Sequence, residues 1–410
     1  MKTTRRQLVQ AIGGLGVWAT VARRTAVAGR ATDRFDVAVV GGGVFGIWSA
    51  YRLHRDGLRV CVIDSVGPAH SRASSGGESR VIRAGYGDRE IYTEWAWRSL
   101  GAWQALSGRA GLPLFRPTGV LWLHRDPDDL VSASADVLGR HDIPFEFLRA
   151  RDLRARYPVL HVDDDEAGFL EPRAGGLMAR RAVRFLASEL AADGVVFVDG
   201  EVEPVGRDQA EGGTLAAITT SVGGRIEAEQ FVFACGPWLD RVCPEAMEGR
   251  LFVSRQEVFY FGVPASATGT LPVWADLPFY GFPDIEGRGF KVADDTHGPR
   301  MDPDSGDRRA TRDGERRARE FLARRFPGLT DAPLTETRVC QYENSADGNF
   351  VIDRHPGLDN VWLVGGGSGH GFKHGPAVGE HVAALLDGSA SPREPFLLAS
   401  KSRRQERVVQ

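Results

Sequence analysis

The spacing of apolar positions changes along this chain, and the changes mark its elements. Phe35 to Val40 (FDVAVV) is a short apolar run, followed by a glycine-rich turn and a stretch in which Ile47, Ala50, Tyr51 and His54 recur at helical spacing. Gly57 ends that stretch and Arg59 to Asp64 (RVCVID) is apolar again, so the segment predicts a strand–helix–strand unit. Toward the other end, Val361 to Val364 predicts a strand that runs into a second glycine-rich turn, and Pro376 to Leu386 predicts a helix stopped by Gly388. Between these ends, Arg173 to Ala192 reads as a helix, and Val195 to Asp199 and Glu227 to Ala234 read as strands. Leu114 to Leu148 and Glu257 to Asp294 alternate apolar and polar residues with aromatics among them, the pattern of antiparallel strands. An arginine-rich helix is expected near Gly314 to Phe326.

This order predicts an α/β protein, α+β overall, with two discontinuous domains. A Rossmann-like nucleotide-binding domain takes residues 33–110, 150–250 and 335–390. An antiparallel-sheet domain takes residues 111–149 and 251–334, which leaves the substrate at the interface and 391–410 as a charged tail. Residues 1–28 stand apart. A basic start, the apolar run Leu8 to Ala22 and the small residues Ala26-Val27-Ala28 have the form of a cleavable export signal, and Arg5-Arg6 resembles the twin-arginine motif. The expectation is therefore an exported protein, periplasmic or extracellular, that meets the twin-arginine machinery; an unused leader would leave it cytoplasmic.

Charge adds two points. Cleavage after Ala28 removes five basic residues and no acid, which takes the net charge from −3 to −8, against a nucleic-acid binder and against stable membrane association. Of 51 basic residues only four are lysines: Lys2, Lys291, Lys373 and Lys401. In a chain that otherwise writes arginine, each lysine outside the leader and tail asks for a reason. Four cysteines are too few for a disulfide framework, although Cys235 and Cys243 are close enough in sequence to pair. No cluster of His, Cys and Asp has metal-ligand spacing.

The first turn is Gly41-Gly42-Gly43-Val44-Phe45-Gly46, a G-x-G-x-x-G directly after a strand and at a helix start. There the N–H groups of Gly41, Gly43, Val44, Phe45 and Gly46 can close on a pyrophosphate whose charge the helix start stabilises. Asp64 ends the second strand, where a carboxylate can accept hydrogen bonds from ribose hydroxyls. This unit does not separate FAD from NAD. The second turn does, because Gly365 to Gly371, with Gly367, Gly369 and Gly371 and then Phe372 and Lys373, offers a backbone able to approach a flat ring.

These segments, together with GGESRVIRAGYGDREIY from Gly76, YGFP from Tyr280, Lys291, and RVCQYENSADGNFVIDRHP from Arg338, resemble the monomeric sarcosine oxidase group of the D-amino-acid-oxidase superfamily over nearly the whole mature chain. The resemblance implies an FAD enzyme that oxidises the C–N bond of a secondary or N-methyl amino acid and passes the electrons to O2, giving H2O2 and an imine that hydrolyses. It implies a monomer, with FAD attached covalently through Cys340. Arg83 and Lys373 then hold the substrate carboxylate, Arg80 beside Ser79 faces the flavin, Tyr280 lines the substrate pocket, and Lys291 promotes the reaction with oxygen through water. The implied catalytic set is Lys291, Arg80 and Tyr280. An ammonium suits the two lysine positions because it is compact and adaptable in pKa, whereas a guanidinium is planar and bulky. His370 and His374 read as residues of the glycine loop. The chain departs from the pattern at Asp295, where the sarcosine enzymes carry a pocket His, at Ser75 and Gly76, and at Glu343 and Asn344. Two other readings stay open: a flavin dehydrogenase serving an electron carrier, and a non-catalytic flavin-binding subunit.

Overall fold

In the computed structural model, which describes residues 34–125 and 128–404, two sheets meet along the strand Leu334–Ser345. The first sheet runs in the spatial order Val351–Arg354, Val361–Gly365, Arg225–Phe233, Phe35–Val40, Val60–Asp64, Val196–Asp199. Its central strands are parallel, with Val37 opposite Val60 and Val40 opposite both Ile63 and Phe233. They read as unbroken apolar runs because both faces are covered. Val37, Val39, Val60 and Val62 enter one core, while Ala38, Val40, Cys61 and Ile63 enter the core on the other face.

The helix Val44–Arg55 follows the first turn and buries Val44, Phe45, Ile47, Trp48 and Leu53, with Arg52 and Arg55 in its last turn, where a cation favours the dipole. The helix Gly375–Leu386 packs on it. Glycine makes that approach possible: a β-carbon on Gly379 would lie 2.4 Å from the Trp48 carbonyl oxygen.

The second sheet has eight strands in the order Leu334–Ser345, Leu251–Phe261, Phe290–Asp294, Phe279–Phe282, Val273–Asp276, Val120–Arg125, Glu166–Glu171, Glu146–Arg149. The helix Arg312–Arg325, capped by the Thr311 hydroxyl accepting from the Gly314 N–H at 3.0 Å, covers it. Trp274 stacks on both Phe321 and Phe290. A small third sheet joins Arg80–Ile82, Gly175–Leu177 and Phe115–Arg116 and carries Arg80 toward the interface.

Several expectations are corrected. The sheet is not wholly antiparallel, since Val273–Asp276 and Val120–Arg125 pair in parallel. Residues 114–148 are not all strand: Asp129–Arg140 is a helix, its Val131 N–H capped by Asp128 at 3.0 Å and its Val131, Ser134, Val137 and Leu138 buried at helical spacing. The helix expected from Arg173 begins at Ala179, because Gly175–Leu177 is spent in the small sheet. Sheet membership also departs from the expected ranges. Glu166–Glu171 and Leu334–Ser345, placed by sequence with the nucleotide-binding part, belong to the second sheet through pairings such as Trp122 with Phe169 and Gln256 with Cys340. The charged tail packs on the body of the protein up to residue 404: Phe396 is fully buried and stacks on Phe350, and buried Lys401 binds Asp347 at 3.0 Å. Cys235 and Cys243 are free thiols. The export leader lies outside the described residues, and no described helix is long and apolar enough to cross a membrane.

Candidate active site

A cavity of about 420 Å³ follows the interface between the sheets. Its wall includes Gly41, Gly43, Val44, Phe45 and Asp64 from the first unit, and Arg80, Tyr342, Glu343, Gly367, Gly369, Gly371 and Phe372 from the rest of the chain. The first group is shaped by backbone. Gly41 has φ +109°, and a β-carbon there would stand 2.3 Å from the Ala234 carbonyl oxygen. Gly46 is off the wall and has a different task, letting the helix seat on the turn: its β-carbon would fall 1.9 Å from the Gly41 carbonyl oxygen. The helix start carries no acid in its first turn, so the positive end of its dipole faces the cavity unopposed, and the Ser75 hydroxyl accepts from the Val44 N–H at 3.0 Å. Asp64 does more than the ribose role expected of it. Its carboxylate accepts the N–H groups of Gly42 at 2.7 Å, Val66 at 2.9 Å and Gly67 at 2.7 Å, pinning the turn while still facing the cavity.

Beside it lies a group of charged side chains. Arg80 lies on the wall of this cavity and also of a second one of about 330 Å³, which holds Cys340 and Lys291. Its guanidinium donates to the Ser79 carbonyl at 2.8 Å, to the Ser74 carbonyl at 2.6 Å and to the Cys340 sulfur at 3.3 Å. Lys291 is 2% exposed. Its ammonium sits 4.5 Å from the Phe282 ring centre, with Ser79 O at 3.3 Å and Ser79 Oγ at 3.4 Å. Burial, and then the neighbouring Arg80 charge, push its pKa down to about 7. Ser79 thus anchors Lys291 rather than lining the cofactor cavity.

Arg83 and Lys373 meet at one phenol. The Lys373 ammonium, 4% exposed, donates to Tyr86 OH at 2.7 Å and to the His370 carbonyl at 2.9 Å. The Arg83 guanidinium lies 4.4 Å over the Tyr86 ring and 4.5 Å over the Trp122 ring, and donates to the Gly85 carbonyl. Burial, and then the neighbouring Arg83 charge, hold Lys373 well below the ordinary lysine range. His370 and His374 are more than loop residues. Their ring nitrogens lie 3.2 and 2.9 Å from Tyr86 OH, and His370 Nε2 lies 2.9 Å from the Gly348 carbonyl, which assigns that nitrogen the proton.

Three participants escaped the sequence. Tyr86 and Glu171 are buried, and Glu171 accepts from Ala84 N at 2.6 Å, Gly85 N at 3.2 Å and Trp122 Nε1 at 3.2 Å, fixing the loop that carries Arg83. Its one clue is an acid closing the apolar run Gly168 to Leu170. The third is Tyr342, whose hydroxyl donates to Asp295 Oδ1 at 2.9 Å and stands 3.4 Å from Tyr280 OH. Burial, reinforced by Asp295, keeps both phenols protonated. Glu343 is buried on the cavity wall with Oε1 meeting no hydrogen-bond partner among the described residues, and burial raises its pKa to about 8.

Residues 36–385 match the family of FAD dependent oxidoreductases, DAO. The chain is similar to monomeric sarcosine oxidase of Bacillus sp. (strain NS-129), 31% identical over 368 residues that cover 86% of this chain and 93% of that protein. It is similar to N-methyl-L-tryptophan oxidase of Yersinia pestis (strain Pestoides F), 28% identical over 87% of this chain and 96% of that one. The solved structure of L-proline dehydrogenase from P. horikoshii shares the fold, with a TM-score of 0.78 at 21% identity, covering 89% of this chain and 97% of that one.

Proposed function

Because this chain belongs to the FAD dependent oxidoreductase (DAO) family, we propose that it oxidises the C–N bond of a secondary or N-methyl amino acid and hands the electrons to O2. The observation that carries the reading is the convergence of Arg83 and Lys373 on Tyr86: among the described residues neither cation has an ion pair with a carboxylate, and a substrate carboxylate would supply one. The residues around the cavity suit FAD, with a helix start free of acid, glycines where a β-carbon would intrude, and a glycine-rich wall beside Phe372. Bound there, the flavin supplies the two-electron redox chemistry; the protein supplies place and charge.

Arg83 and Lys373 orient the substrate by its carboxylate, which fixes the carbon to be oxidised. Tyr280 and Tyr342, both protonated, offer hydroxyls to the polar part of the substrate. Lys291, next to Arg80 in the second cavity, provides positive charge where oxygen is reduced. For an N-methyl substrate the balance is amine plus O2 plus water giving the demethylated amino acid, formaldehyde and H2O2. Cys340, with the Arg80 guanidinium on its sulfur, is the proposed point of covalent flavin attachment. The enzyme works as a monomer, and residues 1–28 export it folded by the twin-arginine route.

The test is product stoichiometry. Incubation of the purified holoenzyme in air with N-methyl and cyclic secondary amino acids is expected to give one H2O2 per imine or formaldehyde formed. Turnover that needs an added dye and yields no peroxide supports the dehydrogenase reading instead.

A further inference from the structure

Asp295 is a buried acid that this scheme leaves unused. It follows the strand Phe290–Asp294 that carries Lys291, is 4% exposed, and is tied to the neighbouring turn by its own N–H donating to the Pro278 carbonyl at 2.8 Å. Its carboxylate accepts from Tyr342, which in turn reaches Tyr280. It acts electrostatically on both Lys291 and Lys373, so it stands between the two ends of the reaction site. The other acid near Arg83, Glu171, has its oxygens committed to three N–H donors.

An amino acid in neutral solution is a zwitterion. Once Arg83 and Lys373 take its carboxylate, its ammonium enters a region that already holds Arg80 and Lys291, where repulsion would expel it. Removal of hydride from carbon also needs the nitrogen lone pair, so the amine proton has to leave. We propose that Asp295 receives the substrate's ammonium and takes its proton, so that the enzyme selects its amino acid as the zwitterion. The N–H bond breaks, the Asp295 O–H bond forms, and the electron pair stays on nitrogen. This rests on the carboxylate reading of Arg83 and Lys373 given above.

Two isosteric carboxylates test it, since trimethylammonioacetate and 3,3-dimethylbutanoate differ in charge but hardly in shape, and neither has an N–H or a nitrogen lone pair. Binding is read from the perturbation of flavin absorption in the holoenzyme. The native protein is expected to hold the cationic ligand about tenfold tighter, equivalent to roughly 1.4 kcal/mol. Asp295→Asn should erase that preference and Asp295→Glu should keep it. With an oxidisable substrate at saturation, Asp295→Asn should also make the rate of flavin reduction climb about tenfold per pH unit, as the amine deprotonates unaided, while the native rate stays flat. A native protein that prefers the neutral ligand, or a preference that survives Asp295→Asn, overturns the inference and leaves the carboxylate site intact. Failure of both ligands to bind overturns the carboxylate site and the inference with it.

Discussion

The glycine turn of the cofactor cavity and the cluster of buried cations are built by different means. In the turn the backbone decides, placed by glycines and with the Gly42 and Val44 N–H groups held by Asp64 and Ser75. In the cluster the groups are side chains drawn from segments far apart: Arg80 and Arg83 from one, Lys291 from the second sheet, Lys373 from the turn Gly371–His374. Backbone groups have fixed charge and tolerate little change in shape. Buried side chains can change protonation, and here Lys291 and Lys373 are both held below the ordinary lysine range. Mutations in the turn should therefore act on cofactor retention, and mutations in the cation cluster on individual half-reactions.

Gly46→Val puts carbon where the Gly41 carbonyl oxygen stands, and the purified protein is expected to carry no flavin, read from its visible absorption; a yellow protein would mean the turn is not the binding element. Lys291→Met should slow reoxidation of the reduced flavin by O2 by about a hundredfold or more, while substrate reduces it within a few-fold of the native rate. Stopped-flow on the separate half-reactions decides, and equal slowing of both removes Lys291 from the oxygen step. Lys373→Met should weaken binding of a carboxylate inhibitor by roughly 10- to 100-fold, as expected for loss of one charge-assisted hydrogen bond, without altering flavin content.

The smallest effect sharpens the contrast through stability. Glu343 titrates near pH 8 in the fold against an ordinary value of 4.5, so between those values the folded protein holds a proton that the unfolded chain releases. Stability from this group is therefore lost as pH rises through that window, on the order of a few kcal/mol. Between pH 5 and 8, Glu343→Gln should lose this component, so that its melting temperature rises relative to that of the native protein as the pH increases.

The difference in construction also explains what the sequence disclosed. A backbone site needs a strand, glycines at fixed spacing and a helix, all contiguous, so Gly41 to Gly46 and Asp64 were legible. The scarcity of lysine singled out Lys291 and Lys373, and the structure buries both beside the aromatic and cationic groups of the interface. Tyr86 and Tyr342 carry no local signal, and Glu171 only that of an acid closing an apolar run, because their roles exist through contacts with residues distant in the chain. The same limit applied to the fold. The helix Asp129–Arg140 was hidden between two strands, and the strand Leu334–Ser345 crosses from one part to the other, delivering Cys340, Tyr342 and Glu343 to the cavities. Lys401 shows that lysine scarcity is not by itself a functional signal, since its ammonium serves a buried pair with Asp347.

N-methyl and cyclic secondary amino acids are mixed anaerobically with the native holoenzyme and with Lys373→Met, flavin absorption is followed, and air is then admitted. At least one of these substrates is expected to bleach the native flavin within the mixing experiment, with Lys373→Met needing far more of it, and air should restore the colour with one H2O2 per flavin. If none of them bleaches the native flavin, or if Lys373→Met bleaches at the same concentrations, amine oxidation at the Arg83–Lys373 site is contradicted.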